Sequence, residues 1–320
     1  MIVDDESPRR LVVRSSAKLN LFLEVGAKRP DGYHEIETLF HEVGIFDRIE
    51  LNAVDSPRAP LEFTCDSAGV AAPGANLVER AAAAFLAETT IRWGVKIHLH
   101  KNVPAGAGLG GGSANAAATL LALQRLLGTR LTWDRLHALA SGLGSDCAFF
   151  LRGGTAIGTG RGEILRQTQL PRFAFLVVVP PVHCSTAEIY ASLERSRSNA
   201  SLKGTIPTRR IADVENLSGI GRMRLDQAAF NRLESVAFDS YPQLSKVSAA
   251  LSQACKSPVH MTGSGSGLFV ICEDLDDANA KNAACQGSAA LRAALAPDPS
   301  SPNPTSGRTF VAESLPERAR

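Results

Sequence analysis

Residues 103 to 118 read Val-Pro-Ala-Gly-Ala-Gly-Leu-Gly-Gly-Gly-Ser-Ala-Asn-Ala-Ala-Ala, with Gly106, Gly108, Gly110, Gly111 and Gly112 crowded together. Glycine takes positive φ at no steric cost, so such a loop can turn several backbone N–H groups toward one point. An apolar helix follows, and its first turn adds unpaired amides and the positive end of a dipole. That combination suits an anion, above all a phosphate. A second loop, Thr262-Gly-Ser-Gly-Ser-Gly267, has the same character. Elsewhere, Lys18 and Asn20 lie two apart on an alternating run and share one face of a strand. Asp146 follows a helix end in a glycine-containing turn, and Tyr33 and His34 sit on an Asp-Gly turn. Two phosphate cradles, an ammonium and a carboxylate are what phosphoryl transfer to a hydroxyl requires. A Tyr-His pair can stack on a flat ring and hydrogen-bond to its edge.

Each signal has an ordinary reading as well. Lys18 and Asn20 also fit a solvated strand face, Tyr33 fits packing at a turn, and Asp146 fits simple capping. Gly106, Gly108 and Gly111 satisfy G-x-G-x-x-G, but a dinucleotide site needs a strand ending at the first glycine and an acid after a second strand. Here residues 101–105 intervene, and the nearest acid, Asp134, falls inside the next helix. No G-K-[ST] follows the glycines, which excludes a P-loop. A glycine linker is a further alternative, but linkers lack the flanking strand and helix seen here.

The elements that must hold these residues read as follows. Leu11–Val13 and Leu19–Leu23 alternate as a strand, Asp31-Gly32 turns the chain, and Glu35–Val43 returns. Asn76 caps a helix running to Glu88, and Val95–His100 is a strand. Ser113 is expected to cap a helix ending at Gly128, and Thr132 another ending at Gly142. Short β runs are expected at Ala148–Leu151 and Thr155–Gly158, and a buried strand at Phe173–Val179. The second half reads as helices over Thr186–Glu194, Leu225–Val236, Tyr241–Ala254 and Asp276–Leu295, with strands at Pro258–Thr262 and Leu268–Cys272. The polar, basic stretch Ser196–Arg222 reads as an insertion. Beyond Ala296, Pro, Ser, Arg and Glu dominate, and a disordered tail is expected over 296–320.

At 320 residues, two domains of about 100–200 residues each are expected. The division falls at 11–172, an N-terminal part that the resemblance given below implies is ATP-binding, and 173–295, a C-terminal part, both α+β. Hydrophobic content of 44% provides ample core, and a net charge of +2 argues against nucleic acid as the main partner. Six scattered cysteines without C-x-x-C spacing suggest reduced thiols in the cytoplasm. No apolar run is long enough for a membrane span, and the acidic start of the chain does not read as a signal peptide. The seven histidines form no H-x-x-x-H pair, so no residue is assigned as a metal ligand.

Taken together, these segments carry a resemblance. Pro104, Ala105, Gly106, Ala107, Gly108, Leu109, Gly110, Gly111, Gly112, Ser113 and Ala114 resemble the ATP-binding motif of the GHMP kinases, and Thr262–Gly267 resembles their third motif. Ala17-Lys-Leu-Asn-Leu-Phe-Leu23 and Arg29-Pro-Asp-Gly-Tyr-His-Glu-Ile-Glu-Thr-Leu-Phe40 resemble the branch acting on a cytidyl-linked sugar alcohol. The resemblance spans about residues 11 to 275. It implies a two-domain fold, with an N-terminal domain like ribosomal protein S5 facing a ferredoxin-like C-terminal domain, and the site in the cleft. It implies ATP, with Mg²⁺, phosphorylating the 2-hydroxyl of 4-diphosphocytidyl-2-C-methyl-D-erythritol in the non-mevalonate isoprenoid precursor pathway.

By the same resemblance, Lys18 and Asp146 are the catalytic pair, with Asp146 the general base and Lys18 sharing the developing charge. Asn20, Tyr33, His34, Thr186 and Tyr190 contact the substrate, with His34 reading the cytosine edge and Tyr33 stacking. Asn76 and Lys96 fall toward the adenosine. Magnesium is held by phosphates, water and Ser113. The implied partner is a small molecule, with no nucleic acid or membrane, for a monomer or weak homodimer. Two positions depart from the family pattern. Arg232, in Phe230-Asn-Arg-Leu-Glu, replaces an acid, and Ala114 stands where a second serine is frequent. The alternatives are another GHMP kinase of homoserine or mevalonate type, an RNA-binding S5-like module, and a nucleotide sensor without catalysis.

Overall fold

The computed structural model describes residues 1–54, 61–66, 74–89, 93–200, 211, 217–297 and 306–317. In chain order the first elements are β1 (Ile2–Ser7), β2 (Arg10–Lys28), β3 (His34–Val54), β4 (Leu61–Cys65), α1 (Leu77–Glu88) and β5 (Gly94–His100). There follow α2 (Gly111–Leu126), α3 (Trp133–Leu143), α4 (Cys147–Arg152), β6 (Thr155–Thr159), β7 (Ile164–Thr168), β8 (Ala174–Val179) and α5 (Thr186–Ala200). The last are α6 (Arg222–Ala228), β9 (Phe230–Asn231), α7 (Glu234–Ser240), α8 (Pro242–Cys255), β10 (His260–Met261), β11 (Leu268–Cys272), α9 (Leu275–Gly287), α10 (Ala289–Ala294) and β12 (Arg308–Glu313).

Two sheets organise these elements. The first runs β1-β2-β3-β5-β4, with β6 and β7 continuing from β3 and β9 added parallel to β2. The second is β10-β11-β8-β12, antiparallel throughout. The chain leaves the first sheet after β7 and enters the second at β8. Helices α1, α2 and α4 cover the first sheet through a core that includes Phe85, Leu120 and Phe149. A second core packs α8 and α9 on the second sheet through Leu244, Leu251 and Ala278. A third joins the sheets, with Leu19, Leu21 and Leu109 meeting Phe175, Val177 and Phe269. Burial of this seam fixes the cleft, at about 25 cal/mol per Å² of apolar surface removed from water.

Several expectations need correction. Ser113 lies inside α2; the cap is Gly110, with φ of +69° and no side-chain cap bond. Ala148–Leu151, expected as a strand, belongs to helix α4, since a short apolar run buried on all sides carries no usable period. The expected helix over Leu225–Val236 is interrupted by β9, and the last helix breaks at Ser288. Residues 308–313, expected in a disordered tail, form β12 and pair with β8 from Arg308↔Val179 to Glu313↔Ala174. The alternation that buries Ala312 is too short to stand out among Pro, Ser and Arg. β1 pairs with β2, so the first sheet begins before residue 11. Residues 298–305 and 318–320 of the tail, and 201–210 and 212–216 of the insertion, lie outside the described residues.

Candidate active site

Strand β2 carries Lys18 and Asn20 between two irregularities of its pairing with β3, at Ser15/Ala17 and Asn20/Phe22. Bulges twist a strand and re-aim its side chains. The Lys18 amide donates to the Leu109 carbonyl at 2.9 Å, which ties the strand to the glycine loop. The Lys18 side chain is only 3% exposed, and its ammonium lies 3.4 Å from Asp146 Oδ2, whose side chain is 29% exposed. It also donates to Asn20 Oδ1 and lies over the Phe40 ring at 5.6 Å. Asn20 is held in turn, with Nδ2 donating to Thr38 Oγ1 at 2.8 Å while the Thr38 hydroxyl donates to the Phe22 carbonyl at 2.7 Å. Asp146 stands at the α3–α4 junction, at the start of α4, with no side-chain cap bond. Its carboxylate is therefore available to Lys18 and the cleft.

The two glycine loops press backbone against backbone. A Cβ on Gly108, whose φ is +71°, would lie 2.2 Å from the Thr262 carbonyl oxygen. Gly267 N–H donates to the Ala107 carbonyl at 3.1 Å. Gly106, Gly108 and Gly110 line a cavity of ≈ 790 Å³ with Gly263 and Ser264 of the second loop. Leu109 and Ala114 are buried in the core beneath, Ala107 is buried, and Gly111 packs on Val103. Gly112 is exposed, and Ser113 bonds to the Cys147 thiol. Pro104 and Ala105 form the entry to the turn. Asn76 caps α1 through Val78 N–H at 2.8 Å, and Leu77 beside it approaches Gly112. Lys96 pairs with Glu62 at 2.9 Å and does not line the cavity.

At the other end of the same cavity stand Tyr33, His34, Thr186 and Tyr190. His34 is buried, its Nε2 meets Glu194 Oε1 at 3.0 Å, and its ring packs 5.1 Å from that of Tyr190. Tyr33 is 53% exposed, with the Arg161 guanidinium 4.9 Å from its ring centre. The Thr186 and Ser264 hydroxyls share a 2.7 Å hydrogen bond, linking α5 to the second glycine loop. Burial, with a smaller contribution from the Asp146 charge, pushes the Tyr190 hydroxyl up to about 12, so it stays protonated. The cavity brings together Lys18, Asn20, Tyr33, His34, Asp146, Thr186, Tyr190 and the glycines Gly106, Gly108 and Gly110.

Other residues support the site without having been expected. Asp47 is fully buried and accepts from Lys101 Nζ at 2.6 Å, Asn102 N at 2.6 Å, Val103 N at 2.7 Å and Asn115 Nδ2 at 2.9 Å. It thereby anchors both the entry to the first glycine loop and the start of α2. Asn231 Nδ2 donates to the Met261 and Gly263 carbonyls at 2.8 Å each, and Glu234 accepts from Met261 N at 2.9 Å. Two residues of the 230–234 motif thus hold the second glycine loop. Arg232, the departure from the family pattern, makes a two-pronged pair with buried Glu24, both contacts at 2.7 Å. Glu194 and Arg161 carry no sequence signal either, because Glu194 meets His34 and Arg161 meets Tyr33 only through the fold.

A cleft floored by an ammonium–carboxylate pair, walled by two glycine loops and ended by an aromatic pair fits a nucleotide-dependent transfer to a hydroxyl. Comparison with known proteins gives it a family. The family model for the GHMP kinases N terminal domain matches residues 76–154, and that for GHMP kinases C terminal matches 211–288. A 4-diphosphocytidyl-2-C-methyl-D-erythritol kinase of Solibacter usitatus (strain Ellin6076) is 37% identical over 268 residues, 83% of this chain and 82% of the relative. The chain belongs to the 4-diphosphocytidyl-2-C-methyl-D-erythritol kinase family of GHMP kinases. A crystal structure of 4-(cytidine 5'-diphospho)-2C-methyl-D-erythritol kinase superposes with a TM-score of 0.72 at 32% identity, covering 95% of this chain and 98% of that one. The homoserine kinase of Cytophaga hutchinsonii reaches a TM-score of 0.65 at 17% identity, covering 99% and 98%, a likeness of fold alone. The two-domain GHMP kinase fold accounts for the paired sheets, and ATP is the phosphate donor of this kinase family. No helix among the described residues is long and apolar enough to cross a membrane.

Proposed function

We propose that this protein transfers the γ-phosphoryl group of ATP to the 2-hydroxyl of 4-diphosphocytidyl-2-C-methyl-D-erythritol. The observation that carries the reading is the Lys18–Asp146 pair, 3.4 Å apart, in one cavity with the glycine loops and with Tyr33 and His34. In this reading the Asp146 carboxylate accepts the proton of the 2-hydroxyl as its oxygen attacks the γ-phosphorus. The bond to the β-phosphate oxygen breaks, leaving ADP, and Lys18 offsets negative charge on the transferring group. Gly106, Gly108 and Gly110 form the phosphate cradle, with the uncapped first turn of α2 behind it. His34 meets the cytosine edge, Tyr33 its face, and Asn20, Thr186 and Tyr190 orient the rest of the substrate.

The donor set suits Mg²⁺-ATP without a dedicated carboxylate cage. The acids lining the cavity are Asp146, beside Lys18, and Glu194, beside His34. Ser113, in the first turn of α2 behind the cradle, is the side chain of this segment that would help hold Mg²⁺, which would supply neutralisation of phosphate charge when bound with ATP. We place the enzyme in the cytoplasm as a monomer or weak homodimer with no nucleic-acid partner, in keeping with a net charge of +2. The deciding experiment measures ATP consumption by the purified protein with the cytidyl substrate beside homoserine, mevalonate and galactose. Preferential turnover of the cytidyl compound is expected; preference for any of the other three overturns the assignment.

A further inference from the structure

Away from the cleft, the edge formed by β4 and β5 carries a cluster that phosphoryl transfer does not use. His98 and His100 lie two apart on β5 and so share a face, and Asp66 follows the end of β4, which runs parallel to β5. One ligand atom from each of Asp66, His98 and His100 can be chosen so that all three lie within 4.8 Å of one another. None of the three lines the cavity, and none is fully buried. We propose that Asp66, His98 and His100 form a peripheral site for a divalent transition-metal ion, with Zn²⁺ the best-matched cation.

The argument rests on how the side chains are already oriented. His100 Nδ1 lies 3.1 Å from Asp66 Oδ2, close to the separation of about 3.3 Å between neighbouring ligands on a tetrahedral zinc. The other nitrogen, Nε2, meets Glu50 Oε1 at 3.3 Å. A carboxylate on the far nitrogen of an imidazole fixes its orientation and raises its basicity, as behind metal-bound histidines generally. His98 is oriented by a hydroxyl instead, its Nδ1 sharing a 2.7 Å hydrogen bond with Thr64 Oγ1. The gap this ring must still close, at most about 1.5 Å, is within reach of a rotamer shift of a half-exposed side chain.

The neighbouring cations have carboxylates of their own: Arg10 pairs with Asp5 and Glu50, Arg48 with Glu50, and the Lys101 ammonium with Asp47. Two imidazoles and one carboxylate leave a fourth position for water, and this borderline N/O set suits zinc, nickel or copper rather than magnesium. The site would clip the end of β4 to β5 just before the 101–103 segment that enters the glycine loop. Asp66 already bonds there, its Oδ1 accepting from Lys101 N at 3.0 Å.

The test is calorimetric titration of the untagged, chelator-treated full chain with ZnCl₂, repeated with MgCl₂ and with the variants H98A and H100A. One equivalent of Zn²⁺ is expected to bind saturably, with Mg²⁺ giving no competing signal. Each variant should weaken binding by at least about 10–100-fold, the loss typical of even outer-shell partners. Zinc should raise the melting temperature of the wild type but not of either variant. C65S and the pair C255S/C285S, which remove thiols able to take zinc instead, should bind as wild type. Both histidines stand outside the cleft, so the variants should keep the wild-type kinase rate in ATP and magnesium. Absence of saturable zinc binding, or binding that survives both histidine variants, or that is lost in a cysteine variant, overturns the proposal.

Discussion

The Lys18–Asp146 pair sets what single substitutions should do. Lys18 is nearly excluded from solvent and its ammonium meets Asp146 and Asn20 Oδ1. In D146N the shape and the Lys18 contact survive while the proton acceptor is lost. We expect kcat to fall by about 10²- to 10⁴-fold, the usual worth of a positioned base, with KM for ATP close to wild type. Single-turnover and steady-state assays check this, and a variant with wild-type kcat would move the base elsewhere. His34 calls for a different pattern. Its Nε2 faces Glu194, so Nδ1 is the ring atom left for a ligand, and Tyr190 packs on the ring. H34A should raise KM for the cytidyl substrate about tenfold or more, corresponding to one good hydrogen bond, and leave KM for ATP unchanged. Equal loss for both substrates would refute a role in reading the base.

Among the elements, the two glycine loops depend on each other. A methyl at residue 108 meets the Thr262 carbonyl at 2.2 Å, and neither backbone can yield without opening the cleft. A positive φ at a non-glycine residue costs about 1–2 kcal/mol before any clash. G108A should therefore lower the melting temperature and raise KM for ATP, whereas G112A, where a methyl lies 3.5 Å from Leu77, should be near neutral. Thermal melts and ATP titrations of the pair decide it; equal behaviour would mean that the loops do not touch in solution. These loops, with Lys18 and Asp146, were legible in the sequence because each is a local pattern of a few residues. The helix cap was misread as Ser113 because Gly110 caps with backbone alone. Asp47 was invisible: its partners Lys101, Asn102, Val103 and Asn115 lie more than fifty residues along the chain. The site contacts of Glu194 and Arg161 are invisible for the same reason, and Arg232, a departure from the family pattern, finds its reason in Glu24 on β2. Alternation revealed β2 and β3, but not that each continues through bulges to 19 and 21 residues.

For the molecule as a whole, residues 306–317 close the structure instead of trailing from it. β12 completes the second sheet, and Ser314 bridges to Val43 of the first. Ser314 Oγ donates to the Phe173 carbonyl at 3.0 Å and meets His41 Nε2 at 2.8 Å, while His41 Nδ1 meets Thr155 Oγ1 at 2.9 Å. His41 thus sits where both sheets and the C-terminal strand converge. Complete burial drives its pKa down from 6.5 to about 4, so the folded protein holds the ring neutral. The unfolded chain binds a proton there below about pH 6.5, and the folded chain only below about pH 4. Stability from this residue is therefore fully present above pH 6.5 and lost as pH falls through that window, by about 3 kcal/mol in total. Urea unfolding across the window should show the slope in the wild type and a markedly shallower one in H41Q, which keeps a polar amide but cannot be protonated. H41Q is expected to be less stable at neutral pH, so the comparison rests on the slope and not on the midpoint. Removing residues 306–320 should strip Nε2 of its partner and admit water to the ring, raising its pKa toward 6.5 and flattening the same slope. If H41Q and the wild type lose stability in parallel on acidification, the acid sensitivity lies in other groups and this junction does not control it.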